Sequence, residues 1–333
     1  MSTWPADVER DQHDSAVSEW LTMLKAEQSR NGHQKAETPR DWLIRGSDLL
    51  AEPDPGPTPW LIENLAVDQA ITACEGRWKT TKSYAILDLC VSIVTGEPAF
   101  DALLIPKPGP VIYICEESGR AALWRRLDAL CRGRAIDRGR LQHLHLAANA
   151  RVKLDDSGWQ RELTAQALET KPRALMFDPL ARMKAAEREE NAQKDMAPIL
   201  EYFRELRDDT GAAVWFVQHT GHQGDHMRGT SDMETVWETK LKWKRDAGSP
   251  EVTIMSEHRE ADAAAPIRYR ISWDHDTRTM RFPLVEGDLK AKVRAHLAEH
   301  PEDSANEVVD ALGTNRKQTL AAVREIRDKS GSD

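Results

Sequence analysis

The segment from Gly76 to Ser83 carries the residue types that bind a chain of phosphates. Gly76, Lys82 and Ser83 have the spacing of the P-loop pattern G-x-x-x-x-G-K-[ST]. In that pattern backbone N–H groups wrap the phosphates, the lysine meets their charge and the hydroxyl binds Mg²⁺. The sequence therefore predicts a site for ATP and Mg²⁺. The expected nucleotide-binding residues are Gly76, Lys79, Thr80, Thr81, Lys82 and Ser83, with Ser83 also on the metal.

Two residues of this loop leave its interpretation open. Thr81 stands where the pattern has its second glycine, so its Cβ either crowds the phosphate or requires the loop to relax. Lys79 is a second cation that either neutralises phosphate charge or points to solvent. The plain alternative is a strand, a basic turn and a helix without a ligand.

Polar side chains follow three apolar runs that are expected to be strands. Asp178 follows one run, where an acid can hold the water shell of Mg²⁺. Glu116 and Glu117 follow a second run and are placed to activate an attacking water as general base. Gln218 and His219 follow the third run. Because the carboxyl ends of parallel strands are where α/β proteins bind ligands, these side chains are expected to meet the phosphate loop at one sheet edge.

The elements that must position these residues follow an α/β pattern. Nearly continuous apolar runs, typical of parallel strands covered on both faces, occupy residues 111–115, 174–177 and 213–217. A short apolar run at 70–73 precedes the phosphate loop, and a helical run at 84–94 follows it. Further along the chain the apolar period changes to two, which predicts antiparallel strands extending the sheet. The alternating residues are Trp237, Leu241 and Trp243, then Ile267, Tyr269, Ile271 and Trp273.

Composition and charge exclude several classes of protein. The chain has 333 residues, enough for about two domains. Its 46 Lys and Arg against 55 Asp and Glu give a net charge of −9, which excludes a uniformly basic nucleic-acid coat and leaves local patches. Because no apolar stretch approaches the ~20 residues of a membrane span and the N-terminus lacks a signal-peptide core, we expect a cytoplasmic protein without membrane contact. The four separated cysteines are expected to be buried reduced thiols.

The chain is expected to contain three segments. Residues 1–50 form a polar helical segment whose apolar residues are spaced as in one amphipathic helix. Those residues are Val17, Trp20, Leu21 and Leu24. A linker with Pro53, Pro55, Pro57 and Pro59 opens the second segment, residues 51–285, which is the α/β core.

The third segment, residues 286–333, has three short helical patterns. Leu289 and Val293 belong to the first, a capping box of Ser304 and Glu307 opens the second, and Thr314 can cap the third. The third pattern is basic and is expected to lie in a DNA major groove, as in a helix-turn-helix module. Its cations are Arg316, Lys317, Arg324, Arg327 and Lys329. The alternative is a small helical bundle that contacts proteins.

Histidines and tryptophans offer two further interpretations. The spacing of His219, His222 and His226 would suit a metal site, but no Cys or carboxylate completes a ligand pattern, so Mg²⁺ is the metal we expect. Most tryptophans are expected in the core rather than stacked on single-stranded bases. Trp78, within the phosphate loop, either lies over the nucleotide or packs.

Together these motifs resemble the RecA-like ATPases of plasmid and phage replication, in particular the RepA-type hexameric helicases. The resemblance covers residues 58 to 283. The matching segments are 60–62, 76–83, 113–118, 177–180, Glu190 and Asn191, Asp195 and Met196, 218–222 and 228–231. It implies an AAA family ATPase with a RecA-like P-loop NTPase core, a mostly parallel sheet flanked by helices with an antiparallel extension. A small C-terminal helical domain of winged-helix or helix-turn-helix type would follow.

The resemblance also implies roles for individual residues and for partners. Glu116, or Glu117, would be the catalytic base, and His219 would read the γ-phosphate. Arg228 or Arg259 would complete the active site of a neighbouring subunit. The chain would then form a homo-oligomer, expected to be a hexamer, with single-stranded DNA in the ring and duplex DNA on the C-terminal module.

Two functions from different classes follow. The leading hypothesis is an ATP-hydrolysing DNA motor, an oligomeric replicative helicase of phage or plasmid type. The alternative is a regulatory or recombination-mediator ATPase that binds DNA without unwinding it. A phosphotransferase acting on a small molecule is disfavoured because no acceptor site is recognisable.

Overall fold

A computed structural model describes residues 43–185, 193–220, 236–262, 264–285, 293, 296–312 and 316–330. The chain divides into two units, Met1–Gly56 and Pro57–Asp333. The described part of the first unit contains a short helix, α1 (Gly46–Leu49). Some predicted features lie outside the described residues. These are the amphipathic set from Val17 to Leu24, Glu190 and Asn191, the segment 221–231 with His222, His226 and Arg228, and Leu289 and Thr314 of the tail.

The second unit has its strands and helices in this order. The strands are β1 (Trp60–Ile62), β2 (Ala66–Val67), β3 (Ile71–Gly76), β4 (Val111–Cys115), β5 (Leu144–Ala148), β6 (Ala174–Asp178), β7 (Ala213–His219), β8 (Thr239–Lys244), β9 (Glu251–His258), β10 (Ile267–Arg270), β11 (Ser272–Asp274) and β12 (Thr279–Arg281). The helices are α2 (Lys82–Thr95), α3 (Arg120–Gly133), α4 (Ser157–Thr170), α5 (Gln193–Thr210), α6 (Ala305–Leu312) and α7 (Arg316–Ser330).

Eight of these strands form one sheet in the order β10-β9-β8-β3-β7-β6-β4-β5. The six strands from β8 to β5 run parallel, and β9 and β10 extend them in antiparallel pairing. The carboxyl ends of β3, β4, β6 and β7 therefore share one edge, as the sequence predicts. This confirms the mostly parallel α/β core with an antiparallel extension.

Helices cover both faces of the sheet, and alternate residues of each strand serve the two faces. In β3, Cys74 packs with the residues of α2 and α3, whereas Ile71 and Ala73 pack with those of α4 and α5. In β7, Trp215 and Phe216 divide in the same way. Because both faces are buried, these strands read as continuous apolar runs. The four cysteines are free and buried, as expected.

Three details of the sheet differ from the sequence predictions. Strand β8, predicted as antiparallel, is parallel to β3 and antiparallel only to β9, because a crossover precedes it and a short turn follows it. The alternating run from Ile267 to Trp273 breaks in two: β10 joins the large sheet, whereas β11 pairs with β12 in a separate two-stranded sheet. The sequence does not predict the edge strand β5, because its five residues, LHLAA, are too few and too exposed to give a period.

The two tail helices pack on each other around a small apolar cluster. Val308 of α6 and Val323 of α7 are buried in it, together with Val293. The predicted capping box is present: the backbone N–H of Ser304 donates to Glu307 Oε2 at 2.6 Å, and the Glu307 N–H donates to Ser304 Oγ at 3.3 Å. These described helices agree with the second and third helical patterns. The assignment of a helix-turn-helix domain stays a prediction.

A buried ion pair fixes the helix of the phosphate loop against its neighbour. Arg134, at the end of α3, donates to Asp88 Oδ1 at 2.8 Å and to Ser92 Oγ at 2.9 Å, both on α2. Burial raises the pKa of Asp88 to about 6 even with Arg134 beside it. Since either charge alone would be costly in this interior, the pair specifies how α2 and α3 meet.

Candidate nucleotide site

The phosphate loop joins the end of β3 to the start of α2. Gly76 closes β3 against Trp243 of β8: a Cβ at Gly76 would lie 2.7 Å from the Trp243 carbonyl oxygen, so no larger residue fits without movement. Thr80 is buried and donates to the carbonyl of Arg77 at 2.8 Å. Lys79 is exposed, with its amine 4.5 Å from the ring centre of Trp78. Strand, tight loop and helix N-terminus therefore have the order that an anion site requires.

Lys82 lies inside this loop, and its amine faces the loop's own carbonyl groups. Its Nζ donates to the carbonyl oxygens of Gly76 at 2.7 Å and Arg77 at 2.9 Å. Burial lowers its pKa to about 8, although the negative charge of Asp178 opposes the shift. Lys82 is therefore a desolvated cation, and such a cation interacts more strongly with phosphate than an exposed one does.

Asp178 ends β6 and is fully buried beside the loop. Its Oδ2 accepts a hydrogen bond of 2.7 Å from the hydroxyl of Tyr113, and its Oδ1 is buried without a hydrogen-bond partner among the described residues. Burial raises the pKa of Asp178, while the hydroxyls of Tyr113 and Ser83 oppose the rise. A buried carboxylate oxygen with an open position next to a serine hydroxyl fits Mg²⁺, which prefers hard oxygen ligands.

The two glutamates after β4 have different surroundings. Glu117 is exposed, and its charge acts on both Lys82 and Asp178, raising the pKa of each. Glu116 is buried, and its Oε1 accepts a hydrogen bond of 3.1 Å from the backbone N–H of Val152. Glu117 therefore lies on the side of the phosphate loop, whereas Glu116 is bonded to the loop after β5.

His219 and Arg259 lie at opposite ends of the sheet. His219 ends β7 directly beside Gly76, and its Nδ1 is 3.4 Å from Lys82 Nζ. Arg259 follows β9, whose last residue pairs with Thr239 at the amino end of β8. The amino end of β8 is four residues, or about 13 Å, below the level of Gly76. The structure thus brings His219 to the phosphate loop and leaves Arg259 at the other edge.

Tyr113 and Val152 have roles at the site that the sequence did not indicate. Tyr113 lies in the middle of an apolar run, and nothing in that run distinguishes a tyrosine that donates to Asp178 from one that only packs. Val152 contributes a backbone group, which no side-chain pattern can reveal. Burial and the neighbouring Asp178 raise the pKa of Tyr113 well above its usual range, so its hydroxyl remains a donor at neutral pH.

Thr81 precedes α2 in the left-handed conformation that a second glycine would adopt, with φ 65° and ψ 19°. For a β-branched residue this conformation costs about 1–2 kcal/mol. We therefore expect Thr81→Gly to raise the free energy of unfolding by about 1 kcal/mol, after the entropy of the unfolded glycine is subtracted. It should also tighten ATP binding, because a Cβ leaves the approach to the loop. Denaturant titration and calorimetric ATP titration measure the two effects.

Lys79→Gly is the matched control, since Lys79 also has a left-handed backbone, with φ 64°, but an exposed side chain. It should gain stability as Thr81→Gly does and leave the ATP affinity near that of the wild type. Equal affinities for the two variants would show that the Cβ of Thr81 does not hinder the nucleotide.

Fold and site together define a RecA-like P-loop NTPase. Residues 34–225, more than half of the chain, match the family model of an AAA domain (AAA_25), and the chain belongs to this family. No curated protein sequence matches it. Among the described residues, no helix is both long enough and apolar enough to cross a membrane.

Several solved structures are similar at low identity. The ATPase domain of a phage replicative helicase aligns with a TM-score of 0.49 and 10% identity, over 66% of this chain and 86% of that one. The RadB recombinase aligns with a TM-score of 0.46 and 12% identity, over 64% and 90%. A KaiC-like protein, PH0186 from the archaeon Pyrococcus horikoshii OT3, gives 0.44 and 12%, over 67% and 93%.

Proposed function

We propose that the protein hydrolyses ATP and uses the energy to move along DNA, as an oligomeric replicative helicase of phage or plasmid type. The observation that carries the ATPase part is the meeting of Lys82, Asp178 and His219 around one loop at the carboxyl edge of the sheet. Phosphoryl transfer needs little covalent chemistry from a protein and depends on positioning and charge. These three residues supply both for a bound triphosphate.

Within this proposal each group has one task. Lys82 and the loop backbone hold the β- and γ-phosphates, and His219 contacts the γ-phosphate from the adjoining strand end. Ser83 and Asp178 would hold Mg²⁺, which neutralises phosphate charge when bound. Glu117 takes the proton of the attacking water, because it is the glutamate whose charge acts on Lys82 and Asp178. Tyr113 holds the Asp178 carboxylate in one orientation.

The DNA part of the proposal rests on the motif resemblance and on the tail. Helix α7 exposes Arg316, Arg324 and Arg327 on a chain with a net charge of −9. Arg316 and Arg327 also bond to Asn306 and the Asp303 carbonyl near α6, which fixes α7 against its neighbour. A basic helix held in this way suits contact with duplex DNA. Unwinding of a forked DNA with ATP tests the motor; ATP turnover without unwinding would favour the regulatory or recombination-mediator ATPase.

Glu117→Gln tests which glutamate is the base. Without the carboxylate the water is not deprotonated, so turnover should fall by about 10²- to 10⁴-fold while ATP binding remains. Single-turnover hydrolysis and ATP retention on a filter measure the two quantities. Glu116→Gln should lower turnover less, because Glu116 acts through the backbone of Val152. A larger loss in Glu116→Gln than in Glu117→Gln would reverse this assignment.

A further inference from the structure

A cavity of about 540 Å³ opens between the loop after β5 and the loop after β6. Its lining includes four cations, Arg151, Lys153, Arg182 and Lys184, against one carboxylate, that of Glu116. The whole chain carries a net charge of −9, so this positive excess is local. A local excess of this kind attracts polyanions.

The two loops that form the cavity are bonded into one surface. Lys153 Nζ donates to the backbone carbonyls of Arg182 at 3.0 Å and Lys184 at 2.7 Å. The backbone N–H of Leu154 donates to the carbonyl of Met183 at 2.7 Å. The cavity is thus built by contacts between the loops, and its cations have fixed anchor points.

The cavity floor is connected to the nucleotide site. Glu116 holds the Val152 N–H, next to Arg151, and its own N–H donates to the backbone carbonyl of Asp178 at 2.9 Å. The following residue is Glu117. A ligand in this cavity would therefore lie one residue from the proposed base and one hydrogen bond from the strand end that carries Asp178.

We propose that this cavity binds the phosphodiester backbone of single-stranded nucleic acid. The inference rests on the proposed function and deepens it by placing the strand at the carboxyl edge of the sheet. Arg151 and Arg182 are exposed on separate loops, which suits successive phosphates of a strand better than one enclosed ion. The described lining contains no aromatic residue on which a base could stack, so binding should be independent of base sequence.

The double variant Arg151→Asn/Arg182→Gln removes two of the four charges. Asn is chosen because Arg151 has a left-handed backbone, with φ 62°, which Asn tolerates. With a labelled oligothymidylate, anisotropy titration in the full-length protein should show an affinity about 10-fold lower near physiological salt. The slope of log K against log[salt] should flatten by about 1.4, because each lost phosphate contact of a single strand contributes about 0.7.

Lys171→Asn is the matched control, since Lys171 is also an exposed cation with a left-handed backbone, φ 50°, but precedes β6 at the other sheet edge. It should bind the oligonucleotide as the wild type does, and thermal unfolding of all variants checks the fold. An oligodeoxyadenylate should give the same affinities as the oligothymidylate. Wild-type affinity and slope in the double variant would overturn the proposal.

A second arm separates a strand from a small anion. Titration with tripolyphosphate should be weak and should compete poorly with the oligonucleotide. If the double variant lost tripolyphosphate binding but kept the oligonucleotide affinity, the cavity would be a small-anion site and the proposal would be wrong. ATP turnover of the wild type is measured separately: its absence counts against the proposed function, whereas the oligonucleotide titrations decide this inference.

Discussion

Lys82→Ala should reduce ATP turnover by about 10³-fold or more, since it removes a desolvated cation aimed at the transferring phosphate. In the present structure the Lys82 amine donates to the carbonyls of Gly76 and Arg77. A bound triphosphate would compete for the same donors and restore full charge to an amine whose pKa burial lowers to about 8. Steady-state phosphate release with saturating ATP measures the loss.

Lys79→Ala is the control for this variant. It stands three residues earlier in the same loop, but its amine lies over the exposed ring of Trp78. We expect it to retain most of the wild-type turnover. If Lys79→Ala abolished turnover and Lys82→Ala did not, the register of the phosphate loop would be wrong. Thermal unfolding should show both variants folded, because neither side chain belongs to the apolar clusters.

Patterns of residue type were enough to predict the core of this fold. Strands β4, β6 and β7 are covered on both faces, so their sequences are apolar throughout, and the polar residue after each one marks its end. Once the strands are parallel, Glu116, Asp178 and His219 must share an edge with the phosphate loop. The composition of the chain and the order of its motifs therefore contained the position of the site.

Finer features depend on contacts that a single sequence does not encode locally. Glu116 and Glu117 are adjacent and identical in type, and their different surroundings come from Val152, 36 residues away from Glu116. The direction of β8 depends on which strand it joins, and alternation of apolar residues is the same for either direction. The cavity cations Arg151 and Arg182 belong to two loops that meet only after the sheet forms.

The position of Arg259 argues that the active site is shared between subunits. Arg259 is exposed at the amino edge of the sheet, with its guanidinium 5.3 Å from the ring centre of Trp237. It lies about 13 Å along β8 from the level of Gly76, on the edge away from the P-loop of its own chain. In a head-to-tail ring, the amino edge of one subunit can face the carboxyl edge of the next.

Arg259→Ala should therefore keep ATP binding and lose about 10³-fold or more in turnover, the effect of removing an arginine that acts in trans. Arg268→Ala is the control: Arg268 is exposed on the neighbouring strand β10 and is paired with Glu251. It should turn over ATP at the wild-type rate. Phosphate release and nucleotide binding, measured on the same preparations, separate loss of catalysis from loss of affinity.

A mixture of two inactive variants provides the stronger test. Arg259→Ala and Lys82→Ala should each be inactive alone, yet their mixture should regain part of the wild-type turnover. A mixed ring contains interfaces at which an intact Lys82 faces an intact Arg259. Size measurement by light scattering shows whether the two variants assemble together. An inactive mixture with proven co-assembly, or a fully active Arg259→Ala, would remove Arg259 from this role; loss of turnover in Arg228→Ala would then assign the role to Arg228.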